Sequence, residues 1–235
     1  MEIENRKLKI PRCSAFAFVQ EALEASGIRT DRDIRVCMGK LDVLQRGLPE
    51  FPDSARGKAE TLFRWLWKDR PHRYMRGGSF RLNEVISSQS DPQSRSAGNC
   101  LGLTLIFNSL AKRVGLDVAA IKMELAFGTG PHVLSLVYAA EGPLQVENIL
   151  PEGFDYRAHG KETQVIWDDK ALVADIYNSR GTESFLKGDM ETALSCYEKA
   201  LSLNPGNEKA RLNMGLTLAQ LGREKEAQKA FNCEL

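Results

Sequence analysis

Apolar residues along the first seventy positions recur at helical spacing. Cys13–Gly27 (CSAFAFVQEALEASG) keeps them three and four apart and stops on glycine, which predicts a first helix. IRVCMGKLDVLQRGL and SARGKAETLFRWLWKDR predict two more, with Ser54 placed to cap the third and Trp65 and Trp67 set at the core and its rim. The pattern is then lost. From Asn83 to Asn99 the chain reads NEVISSQSDPQSRSAGN, the chemistry of a loop. It returns at Cys100, where CLGLTLIFNSLAKRVGLDV starts directly after Gly98-Asn99 and ends at Gly115. Leu103, Ile106, Phe107 and Leu110 fall at helical spacing, so this helix is expected to be apolar nearly all round. Three strand candidates follow, Val118–Phe127, His132–Ala140 and Leu144–Leu150, joined by GTGP and EGP turns as antiparallel hairpins would be. The expected fold class is α+β, with helices packed on a small antiparallel sheet.

After residue 170 the pattern repeats itself with a period of 34: Gly181 returns as Gly215, Gly188 as Gly222, Ala193 as Ala227 and Tyr197 as Phe231. Each unit reads as two antiparallel helices. Gly181 and Ala193 sit where the helices touch, Tyr197 and Phe231 fill the space beneath, and Gly188 and Gly222 make the turns, where a left-handed backbone suits glycine. Pro205 ends the first unit. The segment from Ala174 to Leu235 resembles the tetratricopeptide repeat, with Tyr177 at the family's large fourth position in the first unit and Arg211 there in the second. The resemblance implies an all-helical extension over 174–235 and a groove for a peptide or partner protein. Two units, the second shortened, fall below the roughly three a solenoid needs to bury its faces. They are therefore expected to dock on the domain of residues 1–170.

Composition narrows the classes. A net charge of +1 gives no field that favours nucleic acid or a membrane surface. The longest apolar stretches fall short of the roughly 20 residues a membrane helix needs, and MEIENRKLKI has no signal-peptide core. The reading is a cytoplasmic protein. Its five cysteines (Cys13, Cys37, Cys100, Cys196, Cys233) are odd in number, widely spaced and without a CxxC pair, against a disulfide framework or a zinc site. No metal or cofactor is expected.

Cys100 is the cysteine placed for chemistry. A thiol at a helix start feels the positive end of the dipole and unpaired N–H groups, which favour the nucleophilic thiolate. Acyl transfer then needs an imidazole to take and return a proton and a third group to orient that ring. His132 opens the second expected strand and Asn148 lies near the end of the third. Glu147 adjoins Asn148, and neighbouring strand residues point to opposite faces.

These residues carry a second resemblance. GNCLGLTLIFNSLAKRVGLDV is similar to the cysteine helix of the transglutaminase-like superfamily, PHVLSLVY to its histidine strand and QVENILP to the strand of its acidic residue, over roughly Leu62 to Phe154. The resemblance implies a papain-like core with Cys100 as nucleophile, His132 as general base and acid, and Asn148 as orienting residue. Asn148 stands where the superfamily usually has Asp, and Leu134 where a tryptophan commonly follows the histidine. The backbone N–H of Cys100 is the natural half of an oxyanion site, with Gln89, Gln93 or Asn99 as candidates for substrate or oxyanion contacts.

Plainer readings stand beside these. His72 and His159 lie in charged segments and read as solvated; the basic cluster Arg70, Arg73, Arg76 and Arg81, with Tyr74 and Phe80 interleaved, reads as a solvated loop. Gly128 and Gly130 precede a strand, not a helix, and make no phosphate loop. Three function classes result. The first is a cysteine-dependent amide or peptide hydrolase or transglutaminase-like enzyme acting on a protein or peptide, with hydrolysis favoured because no DxDxDG calcium pattern is present. The second is an inactive member of that fold that binds proteins or peptides with its repeats. In the third, the repeats alone act as an interaction module.

Overall fold

The computed structural model describes residues 15–68, 73–128, 130–157 and 163–232. Helices α1 (Ala15–Ala25), α2 (Asp31–Arg46) and α3 (Ala55–Trp67) follow the periodic segments. Thr30 starts α2 slightly earlier than its apolar pattern, because its hydroxyl accepts from the Asp33 N–H at 3.1 Å. Ser54 caps α3, accepting from the Gly57 N–H at 3.0 Å.

The expected loop from Asn83 to Asn99 is corrected. Its first half is helix α4 (Leu82–Ser90). Leu82, Val85, Ile86 and Gln89 form its buried stripe at helical spacing. The hydroxyls of Ser87 and Ser90 donate back to the carbonyls of Asn83 (3.0 Å) and Ile86 (2.8 Å), so serines that favour loops in water are satisfied within the helix.

Helix α5 (Cys100–Arg113) is buried continuously from Leu101 to Ala111. It lies on a sheet of β1 (Val118–Ala126), β2 (Gly130–Ala139), β3 (Gly142–Val146) and β4 (Gln164–Trp167), in the order β3-β2-β1-β4 with every pair antiparallel. Strand β4 has four residues, too few for alternation to register as a pattern. The third expected strand ends at Val146, four residues short of Leu150. Two polar ties fix how α5 lies on the sheet: Thr104 Oγ1 donates to the Val133 carbonyl at 3.2 Å and Asn108 Nδ2 to that of Ala119 at 3.0 Å. They set the Cys100 end of α5 beside the start of β2.

The repeats are α6 (Asp169–Leu186) with α7 (Met190–Leu203), and α8 (Glu208–Gln220) with α9 (Glu224–Phe231). A Cβ on Gly181 would stand 2.6 Å from the Tyr197 ring, and one on Gly215 would stand 2.4 Å from Phe231. The small residues thus mark the closest helix approach in both hairpins. The turn glycines Gly188 and Gly222 have φ of 81° and 72°.

Helix α6 starts five residues before the repeat pattern does, and its two faces serve two cores. Leu172, Val173 and Ile176 join the main core of α1–α5 and the sheet, whereas Ala174 joins the repeat core around Tyr197 and Met214. Lys112 at the end of α5 pairs with Asp169 at 2.9 Å, Arg180 donates to the Ala25 carbonyl at 2.8 Å, and Arg81 binds both Glu183 and, at 2.8 Å, the Ser26 carbonyl. The repeats are docked through α6.

The basic cluster is not a solvated loop. Arg73 is fully buried, donating to Gln89 at 3.1 Å and lying over Trp67, and Arg81 anchors α6. Arg76 is exposed. Arg70, His72, His159, Cys13 and Cys233 lie outside the described residues. No described helix is long and apolar enough to cross a membrane.

Candidate active site

The approach to Cys100 is held by a short backbone ribbon. Tyr74 forms a parallel bridge with Gly98; Met75 N–H donates to the Gly98 carbonyl at 3.0 Å and Ala97 N–H to that of Arg73 at 2.8 Å. A Cβ on Gly102 would meet the Ser79 carbonyl at 2.4 Å, so the backbone at Ser79 lies directly on the first turn of α5. Asn99 caps that turn, its side-chain oxygen accepting from the Gly102 N–H at 3.0 Å. Cys100 is partly exposed at the head of this otherwise buried helix, and its thiol is free.

His132, near the start of β2, is 6% exposed. Cys100 interacts electrostatically with its ring, and Nε2 lies 2.7 Å from Glu147 Oε2. A carboxylate only accepts, so Nε2 carries the proton of that bond and Nδ1 is the nitrogen left for other partners. Glu147 is fully buried, and its other oxygen accepts from the Ile149 N–H at 3.2 Å. The turn after β3 fixes its backbone: Glu147 N–H donates to Gly153 at 2.8 Å, and a Cβ on Gly153 would stand 2.0 Å from the Glu147 carbonyl oxygen.

The assignment of Asn148 as the orienting residue is corrected. Its amide donates to Ser135 Oγ at 2.9 Å, with Thr104 Oγ1 at 3.4 Å and the Val146 carbonyl at 3.3 Å, and no bond runs to His132. The alternation rule was sound and the register decided its outcome. Ser135 pairs with Val146, so continuing by one residue sets Glu147 opposite Leu134, on the His132 side, and turns Asn148 to the side of Ser135 and α5.

Two of the three substrate and oxyanion candidates, Gln89 and Asn99, have side-chain partners of their own. Gln89 is buried, accepting from Arg73 and donating to the Leu66 carbonyl at 3.2 Å. Gln93 is exposed in a turn made by Asp91, whose side chain accepts from its N–H at 2.9 Å. The side-chain oxygen of Asn99 is committed to its cap.

Burial alone would lower the pKa of His132. Hydrogen bonds to Cys100 and Glu147, with the charges of both, outweigh it and raise the value from 6.5 to about 9. The ring is then imidazolium near neutrality, poised to donate a proton. The Tyr74 phenol is pushed up by burial first and then by the Cys100 and Glu147 charges, against Arg76, which marks it as a neighbour of the pair. Phe127 meets the His132 ring in a T-shaped contact at 5.5 Å.

Sequence reasoning passed over Glu147, Tyr74, Phe127 and Gly153. Glu147 had a usable signal, a carboxyl one residue from the position assigned; the other three had none. Among the described residues no group of three or more His, Cys, Asp or Glu is arranged to hold a metal ion.

Comparison with known proteins bears on the C-terminal segment. Models of the tetratricopeptide repeat match residues 174–207, the span of the first unit, and residues 196–229. The uncharacterized protein MJ0572 of Methanocaldococcus jannaschii is 41% identical over 64 residues, covering 27% of this chain and 74% of that protein. No solved structure matches the chain.

Proposed function

We propose that this chain, whose residues 174–229 carry tetratricopeptide repeats, is a cysteine-dependent acyl-transfer enzyme whose repeats engage a protein partner or substrate. The resemblance of residues 62–154 to the transglutaminase-like superfamily is part of this reading. One observation carries it: a buried imidazole that interacts with the partly exposed Cys100 thiol at a helix start has its Nε2 held by a buried carboxylate.

In this reading Cys100 Sγ attacks the carbonyl carbon of an amide. The backbone N–H of Cys100 faces the developing oxyanion. His132 gives its proton to the departing amine as the C–N bond breaks, leaving a thioester on Cys100. Water, or a second amine, then attacks the thioester and loses its proton to His132 as the thiolate leaves. Glu147 keeps the ring oriented and balances its positive charge at each stage.

Thiol labelling tests it. Iodoacetamide is applied to the full chain between pH 5 and 9, and modification is read by mass spectrometry at Cys100, with the buried Cys37 and Cys196 as internal references. Cys100 should react readily at pH 6, and His132→Ala should slow that reaction by about tenfold or more. Reactivity that climbs only in alkaline solution, equally in both proteins, would overturn the reading.

A further inference from the structure

We propose that Phe127 is a positioning residue that closes the His132–Glu147 hydrogen bond against water. This rests on the reading of Cys100, His132 and Glu147 as one site. The phenyl and imidazole centroids are 5.5 Å apart with planes at 70°, and on its other side Phe127 meets Tyr156 at 6.3 Å.

The fold itself gives Phe127 little reason to be there. Its φ is 53°, a left-handed value that is an outlier for a bulky residue. Gly128 and Gly130, close by, have φ of 66° and 133°, so the turn is built of glycine conformations with phenylalanine standing in one of them. The residue is 47% exposed and reaches the apolar cluster of Ala119, Ile121, Met123, Ala126, Leu134 and Leu136 on the sheet only through Tyr156, which packs against it. A large apolar group is held half in water on a strained backbone, and among the described residues its ring contacts are His132 and Tyr156. Strain of this kind persists where the surroundings over-determine it, and it clusters at functional sites.

What the contact achieves follows from the burial of the pair. His132 lies where β2 begins, yet it is 6% exposed and Glu147 is fully buried. Among the described residues, the charged and titratable groups around the ring are Cys100 from α5, Glu147 from the turn after β3, and Tyr74 from the ribbon beside Gly98. An ionic hydrogen bond weakens and exchanges its proton faster once water reaches it. Phe127 covers the ring at the strand end, where water would otherwise enter.

The test uses the full chain with 15N-labelled histidine. The proton on Nε2 of His132 should appear as a downfield, slowly exchanging resonance that is lost in His132→Ala and moves upfield, exchanging faster, in Glu147→Gln, whose amide oxygen still accepts but carries no charge. Phe127→Gly, which relieves the backbone, should speed its exchange with water by about tenfold or more while the melting temperature holds or rises. Phe127→Tyr should keep exchange slow. Unchanged exchange in Phe127→Gly, or a lower melting temperature, would overturn the role of Phe127 and leave the site reading standing. A wild-type protein without this proton, or one whose resonance is unchanged in position and exchange by Glu147→Gln, overturns both.

Discussion

Glu147 and His132 meet across the end of the sheet, carboxylate to Nε2 at 2.7 Å, with Glu147 entirely and His132 almost entirely out of water. The pairing is diagonal, because the register of β2 and β3 puts Glu147 opposite Leu134, two residues from His132. A buried carboxylate is costly unless both oxygens are satisfied. Here the ring takes one and the Ile149 N–H the other, inside a turn that only a glycine at position 153 allows.

Exchanging the chemistry of the two neighbours separates their roles. Glu147→Gln keeps the volume and removes the charge behind the imidazolium; the rate of Cys100 labelling at pH 6 should fall by roughly 10² or more. Asn148→Asp should not restore it. That carboxyl would lie buried between Thr104 and Ser135 with no cation beside it, and chemical denaturation should show a loss of about 3 kcal/mol. Full labelling in Glu147→Gln would return the orienting role to another group.

The N-terminal helices, the buried α5, the two central strands and both repeat hairpins were legible because each carries a long apolar period or a small-residue pattern. Helix α4 was not, since its serines outweighed a stripe of only Leu82, Val85, Ile86 and Gln89. In the candidate site, the places of Cys100 and His132 at element starts could be read. The third member could not, because the third strand stops at Val146 and its register is set by packing between β2 and β3, which one strand's own sequence does not encode. Tyr74 and Phe127 reach the site through backbone conformations, a bridge to Gly98 and a left-handed turn, that no side-chain pattern announces.

The raised pKa of His132 makes stability depend on pH in a defined window. A base whose pKa goes from 6.5 unfolded to about 9 folded contributes its full stabilisation below 6.5 and loses it as pH rises through 9. The shift corresponds to about 3 kcal/mol at most. Unfolding free energy from urea titrations should therefore decline between pH 6.5 and 9 in the wild-type protein, and the decline should flatten in His132→Ala. Equal slopes in the two proteins would place the origin of any pH dependence elsewhere.

Docking of the repeats through α6 predicts that where the chain is cut matters more than how much is removed. Residues 1–204 keep α6 and α7 whole, so Leu172, Val173 and Ile176 stay in the main core and the bonds from Arg180 to Ala25 and from Arg81 to Glu183 survive. What is lost is α8 and α9, whose buried residues, among them Met214 and Leu218, belong to the repeat core. Residues 1–173 lose Ile176 and both ties, leaving Leu172 and Val173 on a stub of five helical residues from Asp169. Loss of Ile176 alone is worth about 2–5 kcal/mol, and a hydrophobic face of the main domain opens to water. The longer fragment should melt cooperatively, run as a compact monomer on gel filtration and label at Cys100 as the full chain does. The shorter one should aggregate or unfold at a much lower temperature. A stable, monomeric 1–173 fragment with unchanged Cys100 labelling would show that α6 is appended to this domain and is not part of its core.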